Sequence, residues 1–288
     1  MTRTKGRSPD FFCIGAQRSG TSWLYHLLRK HPDVWLTPHK ELHYFDCLHL
    51  SDDHATFFQE RRIERLKTAL ERVGAPPGNE KLATARWFSH FALAEKLDDD
   101  WYTQLFRDCP AQRVTGDITP AYAMLPLEGF RHMARLSPSA KILFIMRDPA
   151  ARVWSQIRFY ATFFNNPGLL ESESAIAFAN THESIARTRY DITLELIEKA
   201  FDEQQILTIF FEDLHHPDST SSKINEIMNF LDIAAQPDQT LPPTQLAAPP
   251  AAIPNALLLH LERQYADMKD SLERRFGRLP ESWRKAVL

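Results

Sequence analysis

A short loop rich in anion-binding groups follows the first apolar run of this sequence. The loop, residues 15–22, has the sequence GAQRSGTS, with one arginine, three hydroxyl side chains and two glycines. The apolar residues 11–14 before it predict a buried parallel strand. Apolar residues at helical spacing after it predict a helix that ends before His31 and Pro32. Because such a loop points backbone N–H groups and a helix N-terminus at one place, we predict a phosphate site.

The loop departs from the Walker A pattern of nucleoside-triphosphate enzymes. Gly15 and Gly20 have the required spacing, but Thr21 stands where a lysine should contact the β- and γ-phosphates. This difference argues against ATP or GTP as the ligand. Arg18 is the only cation of the loop. A lone loop arginine is ordinarily solvated, but its position between the two glycines favours anion binding.

A carboxylate and an imidazole follow the next predicted strand. The helix runs about 15 Å away from the loop, and the extended residues 34–38 bring the chain back by a similar distance. Lys40, Glu41 and His43 should therefore lie beside the anion site, at the carboxyl edge of the sheet. Glu41 could cap the stretch that follows or act as a general base for an acceptor hydroxyl. His43 is the alternative base, or it orients the substrate.

A second anion site is predicted from the same kinds of parts. Residues 141–146 form a continuous β-rich apolar run, which predicts an interior strand covered on both faces. Arg147 follows it directly, Asp148 can cap the next helix, and Pro149 suits the first helical position. Ser155 lies one to two turns into that helix. Arg147 and Ser155 therefore form a candidate phosphate site at the same sheet edge.

These segments resemble the sulfotransferases that use 3′-phosphoadenosine 5′-phosphosulfate (PAPS). The run GAQRSGTSWLYHLL, then HP and KELHYFD, resembles their phosphosulfate loop and catalytic-base segment, nearest to the heparan sulfate branch. ILFIMRDPAARVWSQIRFY resembles the segment that holds the 3′-phosphate. Weaker likenesses lie at residues 101–106, 119–122 and 206–214. Two phosphate motifs in this order are specific, whereas either motif alone is weak.

The resemblance implies a P-loop-like, three-layer α/β fold with a largely parallel central sheet flanked by helices. It implies PAPS as co-substrate, with Arg147 and Ser155 on the 3′-phosphate, and with Glu41, Arg18 and His43 as the catalytic residues. It also implies which loop residues bind the 5′-phosphosulfate: Gln17, Arg18, Ser19, Gly20, Thr21 and Ser22. The implied activity is in-line transfer of a sulfuryl group to a hydroxyl or amine of a sugar, lipid or small metabolite.

Two alternative functions stay open, and the sequence differs from the family pattern at three places. A P-loop ATP-dependent kinase would need the missing Walker lysine, and a non-catalytic nucleotide-binding protein would not need Glu41. Arg18 stands where the family usually has lysine, and Ile118 stands where some heparan-type members have lysine before Thr-Pro. The Pro-rich residues 236–254 contain no counterpart of the family's C-terminal Lys-Gly-Arg loop.

Composition narrows the class of protein. The 288 residues carry 34 Lys and Arg against 37 Asp and Glu, a net charge of −3, so no overall basic field favours nucleic acid. Three widely spaced cysteines predict reduced thiols, and no histidine spacing predicts a metal site. The chain has no apolar run near the about 20 residues of a membrane span and no signal peptide. We therefore expect a cytoplasmic protein without a metal cofactor.

We expect one sulfotransferase domain over residues 1–288. A helical insertion is predicted at about 48–112, on the acceptor side. The Pro-rich connection at about 236–254 precedes a C-terminal helix at about 255–275, which we expect to pack on the core. The acceptor and the oligomeric state are left open by the sequence.

Overall fold

A computed structural model describes residues 6–72, 78–111, 113–235 and 251–284. Within these residues the chain forms a five-stranded sheet in which all pairings are parallel. The strand order is β2-β3-β1-β4-β5. The strands are β1 (Phe11–Gly15), β2 (Val34–Leu36), β3 (Val114–Ile118), β4 (Lys141–Met146) and β5 (Ile206–Phe210). The predicted α/β fold with a parallel central sheet is confirmed.

Helices cover both faces of this sheet. Strand β1 is buried along its whole length, and its side chains enter two apolar clusters: Phe12 belongs to one, and Phe11 and Cys13 to the other. Alternate residues of a strand point to opposite faces, so the two clusters are the two halves of the core. At Gly116 of β3 an added Cβ would lie 2.3 Å from the Phe11 ring, so only glycine fits beside that ring.

The first half of the chain contains the helices that precede β4, including those in the region of the predicted insertion. α1 leads from the first loop to β2, and α2 to α5 lie between β2 and β3. A short 3-10 helix, Pro120–Met124, separates β3 from α6. The ranges are α1 (Thr21–Arg29), α2 (Phe45–His49), α3 (Asp52–Glu71), α4 (Asn79–Ala92), α5 (Asp99–Gln104) and α6 (Leu127–Leu136). None of the helices in the described part of the chain has the length and apolar character needed to cross a membrane.

The second half of the chain adds further helices around β4 and β5. They are α7 (Pro149–Phe163), α8 (Ser172–Ala179), α9 (His182–Ala186), α10 (Tyr190–Glu198), α11 (Phe211–Leu214), α12 (Thr220–Phe230), α13 (Asn255–Gln264) and α14 (Ala266–Phe276). α8 and α9 are separate helices, because Thr181 accepts a hydrogen bond from Ser184 N and caps α9. The C-terminal helix is likewise divided, at Tyr265.

The C-terminal helices pack on the core, as predicted. Leu257, Leu261 and Tyr265 are at most 1% exposed and belong to the same apolar cluster as Phe144 of β4. Lys269 of α14 is also buried, and its Nζ lies 2.6 Å from Glu262 and 3.7 Å from Asp148 at the start of α7. Most of the predicted Pro-rich connection, residues 236–250, lies outside the described residues.

Candidate active site

The first loop turns sharply between β1 and α1. Gly20 has φ 84° and is the residue that precedes α1, and Arg18 also adopts a positive φ of 69°. The positive φ of Gly20 favours glycine here, and an added Cβ would also crowd the Phe211 ring at 3.0 Å. The exposed Ser22 lies in the first turn of α1. The turn therefore has the shape predicted for an anion loop.

Two polar atoms of the loop are buried without a hydrogen-bond partner among the described residues. They are the Ser19 hydroxyl and the Gln17 Oε1. Ser19 has no exposed surface, and Thr21 is only 4% exposed. Because native proteins pair nearly all such groups, these atoms fit a site that binds a polar ligand.

The two predicted anion sites are joined into one. Arg18 Nε donates to Ser155 Oγ over 3.2 Å, and Arg147 Nη1 donates to the Arg18 carbonyl over 2.9 Å. Both guanidinium groups also lie on aromatic rings, Arg18 on Phe159 at 4.9 Å and Arg147 on Phe211 at 4.6 Å. The loop after β1 and the start of α7 thus present their cations to the same space.

Positive charge accumulates in this space. The pKa of Arg18 is lowered, first by burial and then by the charges of Arg147 and Arg158. Burial also lowers the pKa of Arg147, although Glu212 opposes that effect. Such crowding of guanidinium groups is relieved by a bound anion. The residues therefore fit the phosphate and sulfate groups of the nucleotide that the sequence resemblance implies.

The position of Arg147 is fixed by its neighbours. Asp148 accepts from Ala151 N over 2.7 Å and caps α7 as predicted, and Pro149 is the first helical residue. The Asp148 N–H donates to Glu212 Oε1 over 2.9 Å. Tyr190 Oη donates to the Arg147 carbonyl over 2.9 Å. Residues of α10 and α11 therefore hold the turn between β4 and α7 in place.

Glu41 lies beside the first loop and pairs with the residue before it. Lys40 Nζ lies 2.5 Å from Glu41 Oε1 and donates to Thr21 Oγ1 over 3.2 Å. The Glu41 side chain is 41% exposed. Desolvation would raise the pKa of Glu41, but the charges of Lys40 and His43 and their hydrogen bonds outweigh it and hold the pKa well below its ordinary value. Glu41 is therefore ionised at neutral pH and close to the anion loop, as the strand length predicts.

The segment that carries Glu41 is anchored by residues after β3. Thr119 Oγ1 accepts from Leu42 N over 2.9 Å, and Tyr122 Oη accepts from Tyr44 N over 3.2 Å. Thr119 and Tyr122 in turn donate to the buried carboxylate of Asp117, over 2.6 and 2.7 Å. Residues 119–122, one of the weaker family likenesses, thus position the backbone on both sides of His43.

His43 lies at the centre of a row of titratable side chains, between Glu41 on one side and Asp46 with His54 on the other. Its Nε2 lies 3.6 Å from Glu41 Oε2, and its Nδ1 lies 2.6 Å from Asp46 Oδ2. His54 Nε2 lies 2.7 Å from the same Asp46 oxygen, and Phe58 stacks on the His43 ring. Burial lowers the pKa of His43, but Asp46 and Glu41 outweigh that effect, so the pKa is raised. This geometry suits His43 for orienting Glu41.

Three of these side chains also have metal-ligand chemistry. The ligand atoms of His43, Asp46 and His54 lie within 4.8 Å of one another. The two imidazoles hydrogen-bond the same Asp46 oxygen at 2.6 and 2.7 Å. We assign this group to hydrogen bonding.

The structure adds residues that the sequence analysis did not assign to the site. Asp46 lies three residues after His43, and Arg158 lies three residues after Ser155 on the same helix face, which is a spacing that could have revealed both. The sequence predicts Lys40 beside the anion loop but assigns it no binding or catalytic role. His54 had no local signal, because it comes from α3.

Comparison with known proteins identifies the family. Residues 9–237 match the model of the sulfotransferase family. A membrane-associated sulfotransferase, kil1 of Dictyostelium discoideum, is 26% identical over 152 residues, which are 52% of this chain and 23% of that protein. This chain thus spans about a quarter of the length of that relative. The predicted likeness to the heparan sulfate branch and the predicted cytoplasmic location stay predictions.

Solved structures share the fold. A sulfotransferase from Alicyclobacillus acidocaldarius is 23% identical, with a TM-score of 0.65, over 96% of this chain and 99% of the other. The sulfotransferase domain of the Synechococcus PCC 7002 olefin synthase is 22% identical, with a TM-score of 0.53, over 90% of this chain and 95% of that one. Since the family model covers well over half of the sequence, the chain belongs to the sulfotransferase family.

Proposed function

We propose that this protein transfers a sulfuryl group from PAPS to a hydroxyl or amine of an acceptor, with Glu41 as general base. The observation that carries the proposal is the position of Glu41, joined through Lys40 to Thr21 of the anion loop. A base and an anion site that share one lysine suit a transferase that removes a proton beside a bound phosphosulfate. Residues 1–288 would form one domain for this reaction.

The nucleotide would bind across the two joined anion sites. We propose that the loop residues Gln17 to Ser22 bind the 5′-phosphosulfate through backbone N–H groups, hydroxyls and Arg18. Arg147 and Ser155 would hold the 3′-phosphate, which ordinary nucleotides lack. Arg158 is a further cation for the same anion, because its charge already acts on Arg18 and Arg147.

The proposed reaction is a single in-line displacement. The acceptor oxygen or nitrogen attacks sulfur, the bond from sulfur to the 5′-phosphate oxygen breaks, and adenosine 3′,5′-bisphosphate (PAP) leaves. The acceptor proton passes to Glu41 as the new bond forms. Arg18 and Lys40 would stabilise the negative charge that develops on the leaving oxygen. The reaction needs no metal in this scheme, since side-chain cations supply the charge.

His43 would orient the base rather than replace it. Its Nδ1 is bound to Asp46 and its Nε2 faces Glu41, so the imidazole can donate to the Glu41 oxygen that Lys40 does not hold. Asp46 fixes the tautomer and the ring direction, in the way that a buried carboxylate fixes a catalytic histidine. Glu41 then keeps one orientation toward the acceptor.

Two measurements test this proposal together. The protein is incubated with sulfur-labelled PAPS and a panel of sugars, phenols, lipids and amines, and transfer of label to a panel member is expected. PAP should raise the melting temperature far more than ATP with magnesium does. Equal or greater stabilisation by ATP would favour a kinase, and strong PAP binding with no label transfer would favour a nucleotide-binding protein.

A further inference from the structure

The end of the described chain contacts the turn that carries Arg147. We call residues 266–284 the C-terminal segment; it contains α14 and a final 3-10 helix. Three groups support the Arg147 turn: the carboxylates of Asp148 and Glu212 and the hydroxyl of Tyr190. Each of these three side chains contacts the C-terminal segment. The proposed reaction gives this segment no role, although it supports a proposed phosphate-binding turn.

The first contact is made by a buried ammonium group. Lys269 is 7% exposed. Its Nζ donates to Glu262 Oε2 over 2.6 Å and to the Trp283 carbonyl over 3.0 Å. The same Nζ lies 3.7 Å from Asp148 Oδ2. A buried charge is costly unless it is paired and hydrogen-bonded, and here it has two carboxylates and a carbonyl. Lys269 therefore connects three C-terminal elements to the start of α7.

Asp148 depends on this ammonium group. One of its oxygens accepts from Ala151 N and caps α7, and the other faces Lys269. Burial raises the pKa of Asp148, and the charge of Lys269 is the largest effect that opposes it. Removing one partner of a buried ion pair leaves an uncompensated charge. Without Lys269, Asp148 would have to take up a proton or move toward water, and either change would disturb the cap next to Arg147.

The second contact is made by a buried indole. Trp283 is 2% exposed, and its ring lies 5.2 Å from the Phe210 ring and 6.2 Å from the Tyr190 ring. Burial raises the pKa of Glu212, and the Asp148 N–H and then the Trp283 side chain oppose that effect. The contact is looser than an ordinary hydrogen bond, because within the described ranges neither Trp283 Nε1 nor Glu212 Oε2 has a partner of that geometry. The indole thus packs against two supports of the turn.

We propose that Lys269 and Trp283 are positioning residues for the 3′-phosphate, which hold the turn between β4 and α7 so that Arg147 meets this phosphate. The inference rests on the proposed nucleotide site and adds two residues that need not touch the nucleotide. The charge of Lys269 would act through Asp148. Since Arg147 projects from this turn and the 5′-phosphate is assigned to the loop after β1, a shift of the turn should weaken 3′-phosphate binding selectively.

The test compares two nucleotides that differ only in the 3′-phosphate. PAP and adenosine 5′-phosphate (AMP) are titrated calorimetrically into the wild type, Lys269→Met, Trp283→Phe and the double variant of Lys269→Met with Asp148→Asn. Asparagine caps a helix about as well as aspartate does, but it carries no charge that needs a cation. Lys199→Met is the matched control, because Lys199 is 57% exposed and lies 3.9 Å from Glu195. Urea unfolding shows whether each variant is folded.

The expected readout is the ratio of the AMP dissociation constant to the PAP dissociation constant. In Lys269→Met this ratio should fall by about tenfold, as the loss of an orienting partner does at metal sites, while AMP affinity changes little. The double variant should recover most of the ratio, because the asparagine caps α7 without a buried charge; a loss of packing alone would not be recovered. Trp283→Phe should also lower the ratio, and Lys199→Met should leave it unchanged.

A wild-type ratio in folded Lys269→Met, or a lowered ratio that the double variant does not recover, would overturn the role of Lys269. If Lys269→Met does not fold, Trp283→Phe decides the matter, and an unchanged ratio there overturns the inference. Equal losses of both nucleotides would mean that the C-terminal segment supports only the fold. A wild-type protein that does not prefer PAP to AMP would mean that the proposed nucleotide site itself has failed, so the two failures are separated.

Discussion

Replacing Asp46 with asparagine should weaken the fold and shift the titration of His43. The buried Asp46 Oδ2 binds the imidazoles of both His43 and His54, and its Oδ1 has no partner among the described residues. In Asp46→Asn the amide oxygen can keep both contacts, but each changes from a charged to a neutral hydrogen bond, a loss of about 1 to 1.5 kcal/mol. The buried NH2 group adds a further cost. We expect the free energy of unfolding to fall by about 2 to 4 kcal/mol.

The pH dependence of this loss follows from two opposite pKa shifts. The pKa of Asp46 is lowered, because His43 and His54 outweigh the effect of burial, so its stabilisation is present above about pH 3.9 and lost as pH falls further. The pKa of His43 is raised, so its stabilisation is complete below about pH 6.5 and lost as pH rises through the folded pKa. The difference between wild type and variant should be largest between these limits.

Urea unfolding at several pH values, together with NMR titration of the histidines, measures both effects. Asp108→Asn, at an exposed position that pairs with Arg107 at 3.6 Å, is the matched control and should change stability little. An Asp46→Asn protein with unchanged stability, or with an unchanged His43 pKa, would refute the role assigned to this carboxylate.

Three further predictions concern other parts of the site and fold. Arg147→Ala should weaken PAP by on the order of 2 kcal/mol or more while barely changing AMP; equal losses in calorimetric titration would mean a structural role. In Lys40→Met, Glu41 loses the cation that lowers its pKa, so the acid limb of the kcat/KM profile should move to higher pH. The KM for PAPS should also rise. An acid limb that does not move would count against Glu41 as the base. Gly116→Ala should destabilise the sheet by about 1 to 3 kcal/mol in urea unfolding, since its Cβ would meet the Phe11 ring; unchanged stability would show that β1 and β3 can separate.

The parts of the site that depend on local pattern were predictable from sequence. Apolar runs ending at Gly15 and at Met146 predict two strands whose carboxyl ends carry the anion-binding residues. The lengths of α1 and β2 predict that Glu41 returns to the first loop, and the structure places it there through Lys40. These inferences succeed because parallel strands align their carboxyl ends at one edge of the sheet.

The parts that depend on distant contacts were not predictable. His54 reaches Asp46 from α3, and Thr119 and Tyr122 bind the Glu41 segment from beyond β3. Nothing in the local sequence indicates these pairings, because they arise when separate elements pack. The link between Arg18 and Ser155 is of the same kind, since it joins residues 137 positions apart.

The most direct test of the central claim is the rate of sulfuryl transfer by Glu41→Gln. Glutamine has the same size but cannot accept the acceptor proton, so turnover should fall by about 10²- to 10⁴-fold, the contribution of a positioned base. PAP affinity should stay nearly unchanged, because a carboxylate does not attract a polyanion, and the exposed Glu60→Gln should behave as wild type. Full activity in Glu41→Gln would contradict the assignment and indicate His43 as the base, and lost PAP binding would mean that Glu41 supports the loop instead.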